Sequence, residues 1–293
     1  MIRALVTGAG GMLGRDLVAA LRDAPGFDVV GLRRDELDLR EPTAVRAAVA
    51  GADVVVNAAA WTDVDGAEAD EAAATAVNGT AVAVLAQACA DRGTRLIQIS
   101  TDYVLSGSGP ARAWPADAAT GPVNAYGRSK LVGELATREL LPDTGYVVRT
   151  AWLYGAHGRN FVSTMLSLAQ NRPSLTVVDD QHGQPTWTVE LARQLVDLAA
   201  AAVAGRAAAG IYHGTAAGET TWYGFARAIF AAAGLDPDRI SPVTSAQFPR
   251  PAVRPVRSVL AHDMWAAAGV PVQPDWHTQL RQALAAGVGR VAV

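Results

Sequence analysis

The sequence predicts an α/β fold, a doubly wound parallel sheet (Rossmann-like) with a smaller C-terminal region, on three observations. Short apolar strands alternate with amphipathic helices over the first 150 residues. The strands, such as Asp53-Val54-Val55-Val56-Asn57 and Leu96-Ile97-Gln98-Ile99-Ser100, are continuous and rich in β-branched residues. That is the pattern of a parallel sheet with helices over both faces. The first strand also runs straight into a glycine-rich turn that opens a helix.

Residues 2–7 (IRALVT) make the first strand, followed by Gly8-Ala9-Gly10-Gly11-Met12-Leu13-Gly14 and a helix over 15–22. Glycines at 8, 11 and 14 let the backbone turn sharply, let a pyrophosphate reach the amides at a helix N-terminus, and let helix pack on strand. A dinucleotide site is expected there. The second strand, 27–32, ends at Arg33-Arg34, where an NAD site would place a carboxylate on the ribose hydroxyls. Two cations favour the 2'-phosphate of NADPH instead, while Asp35 close by leaves NADH open. Asp38-Leu39 fall where a loop would cross the adenine ring, Leu39 being equally readable as core. Strands over 53–57, 96–100 and 146–150 complete the first half, with helices in the gaps.

After Thr150 the pattern loosens. Helices are expected over 161–170, 188–204, 222–233 and 276–286, and strands over 175–179 and 211–214, among connections such as Phe248-Pro249-Arg250-Pro251. The expected division is a dinucleotide-binding domain of 1–155 with 187–215 and a smaller substrate-binding domain of 156–186 with 216–293.

The chain has one lysine, Lys130, among 25 basic residues, and it stands four residues after Tyr126. On a helix the two side chains share a face. A compact ammonium can reach both ribose hydroxyls and a phenol, which a forked guanidinium does poorly. Bringing a phenol from about 10 to about 7 takes roughly 4 kcal/mol, and that is the work expected of the cation. Tyr126 is thus the candidate proton donor. The plainer reading is a surface helix pair.

Ligands of doubly wound sheets bind at the carboxyl edge, and three strand ends there are polar. Asn57-Ala58-Ala59-Ala60-Trp61-Thr62 offers small residues for the approach of a nicotinamide ribose. Ser100-Thr101-Asp102-Tyr103 offers a hydroxyl and a carboxylate, with Thr101 able to bond a reacting carbonyl oxygen beside Tyr126. Arg149-Thr150-Ala151-Trp152 places an indole where a sugar or base could stack. Each also reads as helix cap or core.

Composition excludes several classes. A chain of 293 residues with 50% hydrophobic and 18% charged residues can bury a substantial core. A net charge of -3 with scattered arginines gives no basic field, so no nucleic acid partner is expected. Cys89 stands alone in an alanine-rich run, which rules out an intrachain disulfide and is consistent with a reducing, cytoplasmic setting. The apolar start is too short for a signal peptide, and no uncharged apolar stretch nears about 20 residues, so no membrane partner is expected. The histidines, at 157, 182, 213, 262 and 277, lack ligand spacing, and no metal is expected from them.

The strings TGAGGMLG, ELDL, NAAAWTDVDGAE, the Val77-Asn78 pair, STDYV, YGRSK, RTAWLYG, NFV, DDQHGQPT and RPVRSVL run nearly end to end. Together they resemble the dTDP-4-dehydrorhamnose reductase family of the extended short-chain dehydrogenase/reductase group. The resemblance implies NADPH-dependent reduction of the C4 ketone of dTDP-4-dehydro-L-rhamnose to dTDP-L-rhamnose. By position it implies Tyr126 as proton donor, Lys130 as its partner and ribose ligand, and Thr101 as the third polar group. It places Thr101, Asp102 and Trp152 on the dTDP-sugar. Gly11, Met12 and Leu13 would line the pyrophosphate, with Asp38, Leu39, Ala60, Trp61 and Thr62 along the cofactor. It further allows a homodimer with magnesium at the contact, where Asp16 and Glu190 stand at plausible positions, although the residues themselves give no reason to expect the ion.

The chain departs from the family at Arg33, where a carboxylate is common, at Leu105-Ser106, where Phe-Asp is common, and at Trp61, where Tyr or His is usual. These changes could reshape the sugar pocket, which leaves another nucleotide-linked 4-keto-6-deoxysugar as an alternative. A sugar dehydratase of the same group carries Thr-Asp-Glu where this chain has Thr101-Asp102-Tyr103, so the acid for eliminating water is missing. An alternative of a different class is a dinucleotide-binding regulatory subunit without catalysis, against which the intact Thr101, Tyr126 and Lys130 set argues.

Overall fold

The computed structural model describes residues 1–107 and 112–289. Its strands are β1 (Ile2–Thr7), β2 (Phe27–Leu32), β3 (Val54–Asn57), β4 (Arg95–Thr101) and β5 (Gly145–Thr150), then the short β6 (Leu153–Tyr154), β7 (Leu175–Val178), β8 (His182–Gly183) and β9 (Thr186–Trp187), then β10 (Gly210–His213), β11 (Thr220–Thr221) and β12 (Ile240–Val243). The helices are α1 (Met12–Asp23), α2 (Pro42–Val49), α3 (Val64–Ala69), α4 (Glu71–Thr75), α5 (Ala81–Ala90), α6 (Ala125–Leu140), α7 (Phe161–Asn171), α8 (Thr188–Val203), α9 (Trp222–Ala232), α10 (Met264–Ala267) and α11 (Trp276–Ala285).

Six strands form one parallel sheet in the order β10-β5-β4-β3-β1-β2. The chain reverses its direction of travel across the sheet between β1 and β3, which opens a crevice at their carboxyl ends. Strand periodicity divides the side chains between two layers. Ala4 and Val6 of β1 face Leu13, Leu17 and Leu21 of α1 and Leu191 and Leu195 of α8. Leu5 faces the other layer, with Val45 and Val49 of α2 and Leu85 and Cys89 of α5. Each such leucine contributes about 1.5–3 kcal/mol on burial.

A second core joins Tyr154, Val162, Met165, Phe225, Ile229, Phe230, Trp276 and Leu280 from the later segments. The small strands belong here: β7 pairs with β12, β8 with β11, and β6 with β9.

The strands expected over 53–57, 96–100 and 146–150 form within one residue of those bounds. Three differences have physical reasons. Helix α1 begins at Met12, three residues early, because Gly11 is already its extended N-cap and Gly14 lies inside the helix. Strand β12 lacks a strand pattern in the sequence because Pro242 stands inside it, which only an edge position tolerates. And α10, although within the stretch 216–293, returns to the first core: Trp265 is fully buried there and its Nε1 donates to the His213 carbonyl at 2.8 Å.

The expectation that no apolar run approaches membrane-spanning length is corrected by Glu71–Ala90. Among the described residues this 20-residue helical run, continuous through α4, a π turn (Ala76–Thr80) and α5, is long and apolar enough by length and composition. Glu71, Asn78 and Gln87 break it when it is read residue by residue. In the fold half of it is buried, packed on α6 and α2.

Candidate active site

The crevice between β1 and β3 is shaped by glycine. Gly8 has φ +71°, and a Cβ on it would lie 2.5 Å from the Ala59 nitrogen, so the turn after β1 presses on the chain leaving β3. A Cβ on Gly14 would run into the Gly8 carbonyl oxygen. Helix α1 thus starts directly under the crevice. Its N-cap, Gly11, supplies no side-chain hydrogen bond, and its first turn holds no acid. The first amides and the positive end of the helix dipole therefore suit a diphosphate. Met12 is half-buried at this end, whereas the side chain of Leu13 belongs to the core, so only its amide can serve.

Arg33 lies over the turn: a Cβ on Gly10 would sit 3.3 Å from its Cγ. The guanidinium is exposed, 3.5 Å from Glu36. Asp38 is gripped by Arg40, whose Nη2 donates to Oδ2 at 2.7 Å, and this bond holds the carboxyl down to about 2. It is ionised but already engaged. Leu39 is buried among Leu37, Val45 and Val49, which is its core reading.

Buried polar side chains fix the strand ends. Thr7 Oγ1 donates to Asn57 Oδ1 at 2.6 Å, Asn57 Nδ2 to Gln98 Oε1 at 2.7 Å, and Gln98 Nε2 to the Ile99 carbonyl at 2.8 Å. After β3, Ala60 is half-buried and Thr62 exposed, and the indole of Trp61 packs beside Tyr126. Asn78 grips the Trp61 backbone, accepting from its N–H at 2.9 Å and donating to its carbonyl at 3.1 Å. The same amide donates to Ser129 Oγ on α6 at 2.9 Å. Sequence reading had Asn78 only as part of a matching string; the π turn that aims it, a geometry frequent at functional sites, is invisible in composition.

Helix α6 is capped by Asn124, which accepts from Gly127 N–H at 2.8 Å. A Cβ on Gly127 would collide with the Tyr103 carbonyl, so this glycine lets the helix close on the turn after β4. Tyr126, half-buried, meets Tyr103 edge-on at 5.9 Å and has the Thr101 hydroxyl beside it. Lys130 is 3% exposed and donates from Nζ to the Ile99 carbonyl at 2.7 Å. The structure thus brings Thr101, Tyr126 and Lys130 to one strand end.

Their electrostatics differ from expectation. Burial pulls the Lys130 ammonium down to about 8, with Glu134 opposing. The Tyr126 phenol is pushed up from its ordinary value by burial and by the neighbouring Asp102, with Thr101 pulling the other way. The phenol is not lowered toward 7 in the protein alone, because it is buried, the ammonium is turned to the Ile99 carbonyl, and the charge that acts on it is that of Asp102.

Asp102 is 2% exposed, and burial pushes it up to about 6 against bonds from Ser258 and Thr101. Its Oδ1 accepts from Thr101 Oγ1 at 3.0 Å and its Oδ2 from Ser258 Oγ. Trp152, with φ +48°, is the one non-glycine residue in the left-handed region among the described residues. Such strain persists only where the surroundings over-determine it. Its indole stacks on Trp222 at 3.6 Å and 9°, and Gly183 runs against its edge, where a Cβ would lie 2.5 Å from Cε2. One indole face is therefore already taken by Trp222. Ser258, present in the sequence reading only inside the string RPVRSVL, and Trp222 both come from segments far along the chain from the residues they touch.

Asp16 and Glu190 have other partners. Asp16 accepts from Thr188 Oγ1 at 2.5 Å and lies 3.6 Å from His157, while Glu190 pairs with Arg193. The described residues hold no cluster of three metal-binding side chains.

Comparison with known proteins places the chain in a family. Residues 2–288 match the family described as the RmlD substrate binding domain. The chain is 52% identical over 290 residues to the dTDP-4-dehydrorhamnose reductase of Streptomyces griseus, covering 98% of this chain and 95% of that one. It is 50% identical over 283 residues to the dTDP-4-keto-6-deoxy-D-glucose reductase of Streptomyces niveus, covering 96% of each. The crystal structure of the dTDP-4-dehydrorhamnose reductase of Bacillus anthracis in complex with NADP superposes with a TM-score of 0.90 at 32% identity, covering 98% of this chain and 100% of that one.

Proposed function

The chain belongs to the RmlD substrate binding domain family, that of the dTDP-4-dehydrorhamnose reductases, and from that membership we propose that it reduces the C4 ketone of dTDP-4-dehydro-L-rhamnose with NADPH to give dTDP-L-rhamnose. The observation that carries this reading is Tyr126 beside the Thr101 hydroxyl, with Lys130 one turn further along the same helix, at the edge of a crevice fitted for a dinucleotide.

NADPH, when bound, supplies the hydride. The protein's own groups do the rest. The uncapped amides of α1 hold the diphosphate, and the exposed Arg33 meets the 2'-phosphate. An ammonium has three donors, so Lys130 can keep the Ile99 carbonyl and still reach the ribose hydroxyls. Because burial and Asp102 raise its phenol, Tyr126 is protonated throughout the neutral range. It stands ready as the acid for the oxygen that becomes the C4 hydroxyl. Asp102 and the remaining face of Trp152 orient the sugar.

The test is oxidation of NADPH and of NADH, followed by absorbance, with dTDP-4-dehydro-L-rhamnose generated by a coupled epimerase, and identification of the product. Formation of dTDP-L-rhamnose supports the reading; a silent enzyme that still binds NADPH sinks it. The near-equal identity to a dTDP-4-keto-6-deoxy-D-glucose reductase favours one second reading, reduction of that sugar before epimerisation. Omitting the epimerase decides between them.

A further inference from the structure

The segment after Val253 reaches the active site through one hydroxyl. Ser258, 2% exposed, donates to Asp102 Oδ2 while Thr101 donates to Oδ1, so the carboxylate is held from two sides. The segment carrying Ser258 is itself fixed: Arg257 N–H donates to the Gly107 carbonyl at 2.9 Å and Ser258 N–H to the His182 carbonyl at 3.0 Å.

A threonine hydroxyl has one hydrogen and two lone pairs. In Thr101 the hydrogen is committed to Asp102, and the oxygen accepts from Tyr103 N–H at 3.2 Å. Thr101 can donate to a substrate oxygen only by leaving Asp102, and a buried carboxylate that loses a donor is penalised unless another remains. We propose that Ser258 is a positioning residue for the reduction: by keeping Asp102 hydrogen-bonded, it frees the Thr101 hydroxyl to turn its hydrogen onto the carbonyl oxygen of the bound ketosugar. This rests on the proposed ketosugar reduction.

The arrangement has a consequence in pH. Thr101, Tyr103, Tyr126 and Ser258 surround Asp102, with Arg254 reaching Tyr103. A protonated Asp102 no longer needs the Thr101 hydrogen and can itself donate. Ser258 therefore matters where Asp102 is ionised and little where it is protonated.

The experiment measures kcat across a pH range of about 5 to 8.5 for wild type and Ser258→Ala, with whichever ketosugar wild type reduces. The expected result is a kcat roughly 10-fold to 100-fold lower at about pH 8, shrinking to within about threefold at about pH 5, with unchanged NADPH affinity and recovery in Ser258→Thr. In an Asp102→Asn background, which holds no carboxylate, removing Ser258 is expected to cost less than about threefold. That double variant also serves if Ser258→Ala alone does not fold. A deficit equal at all pH values, a deficit undiminished in the Asp102→Asn background, or no deficit overturns the role of Ser258. A wild type inactive on both sugars would overturn the function instead.

Discussion

At the scale of single residues the site sets an acid, a cation and a buried carboxylate within hydrogen-bonding reach of one strand end. Replacing Tyr126 with Phe removes the proton donor and leaves the dinucleotide crevice untouched. Turnover is expected to fall roughly 10²-fold to 10⁴-fold, with NADPH affinity, read by fluorescence titration, nearly unchanged. Wild-type turnover in that variant would remove Tyr126 from the mechanism. Asp102 makes a second prediction. Its folded value, about 6, stands above the ordinary 3.8. Between those values the folded chain holds a proton that the unfolded chain has released, so stability falls as pH rises through the window. Above it, the ionised carboxylate costs about 3 kcal/mol. Asp102→Asn should therefore stabilise the fold at about pH 8, by up to that amount, with the gain gone below about pH 4. Urea unfolding at both pH values checks it, and no gain at the higher pH would contradict it.

At the scale of elements, α6 is the part that has to be placed well, since it carries Tyr126 and Lys130 together. Its buried face holds Glu134, whose carboxylate takes two bonds from Arg149 of β5, at 3.0 Å and 2.8 Å. Both side chains are almost completely buried. Glycine completes the fit: a Cβ on Gly133 would collide with the Asn78 carbonyl, so α6 can lie directly on the π turn. Glu134→Gln leaves the Arg149 charge uncompensated and is expected to cost about 3–5 kcal/mol in urea unfolding. It also removes the group that holds Lys130 up, so the basic limb of kcat/KM, set near about 8 by that lysine, should move to lower pH. A variant as stable as wild type would show that the pair does not anchor the helix.

At the scale of the whole molecule the later segments do not simply sit on the sheet; they are threaded back into it. Trp265 of α10 fills the first core, and the carbonyl of Ala261 meets Nδ1 of His213 at 2.8 Å. Burial and Arg149 hold this histidine down to about 3. As pH falls from 6.5 toward about 3 the unfolded chain takes a proton that folded His213 refuses, so stability present above 6.5 is progressively lost. His213→Gln is accordingly expected to flatten the loss of urea midpoint between about pH 7 and about pH 4, and an unaltered slope would assign acid sensitivity elsewhere. Asp102 acts in the opposite sense over part of this range, so the two variants should be compared separately.

The sequence by itself determined the sheet, the glycine turn and the Tyr126–Lys130 spacing, because each is local: β-branched runs, glycines at fixed intervals and a four-residue helical offset are written within a few residues of one another. Tertiary structure decided what those groups experience. That Lys130 turns to the Ile99 carbonyl, that Asp102 raises the Tyr126 phenol, and that Trp222 covers one face of Trp152 all follow from burial and from partners brought together across the fold. Ser258 is the clearest case, a serine 156 residues from Asp102 that only the folding of the later segment onto the strand ends makes part of the site.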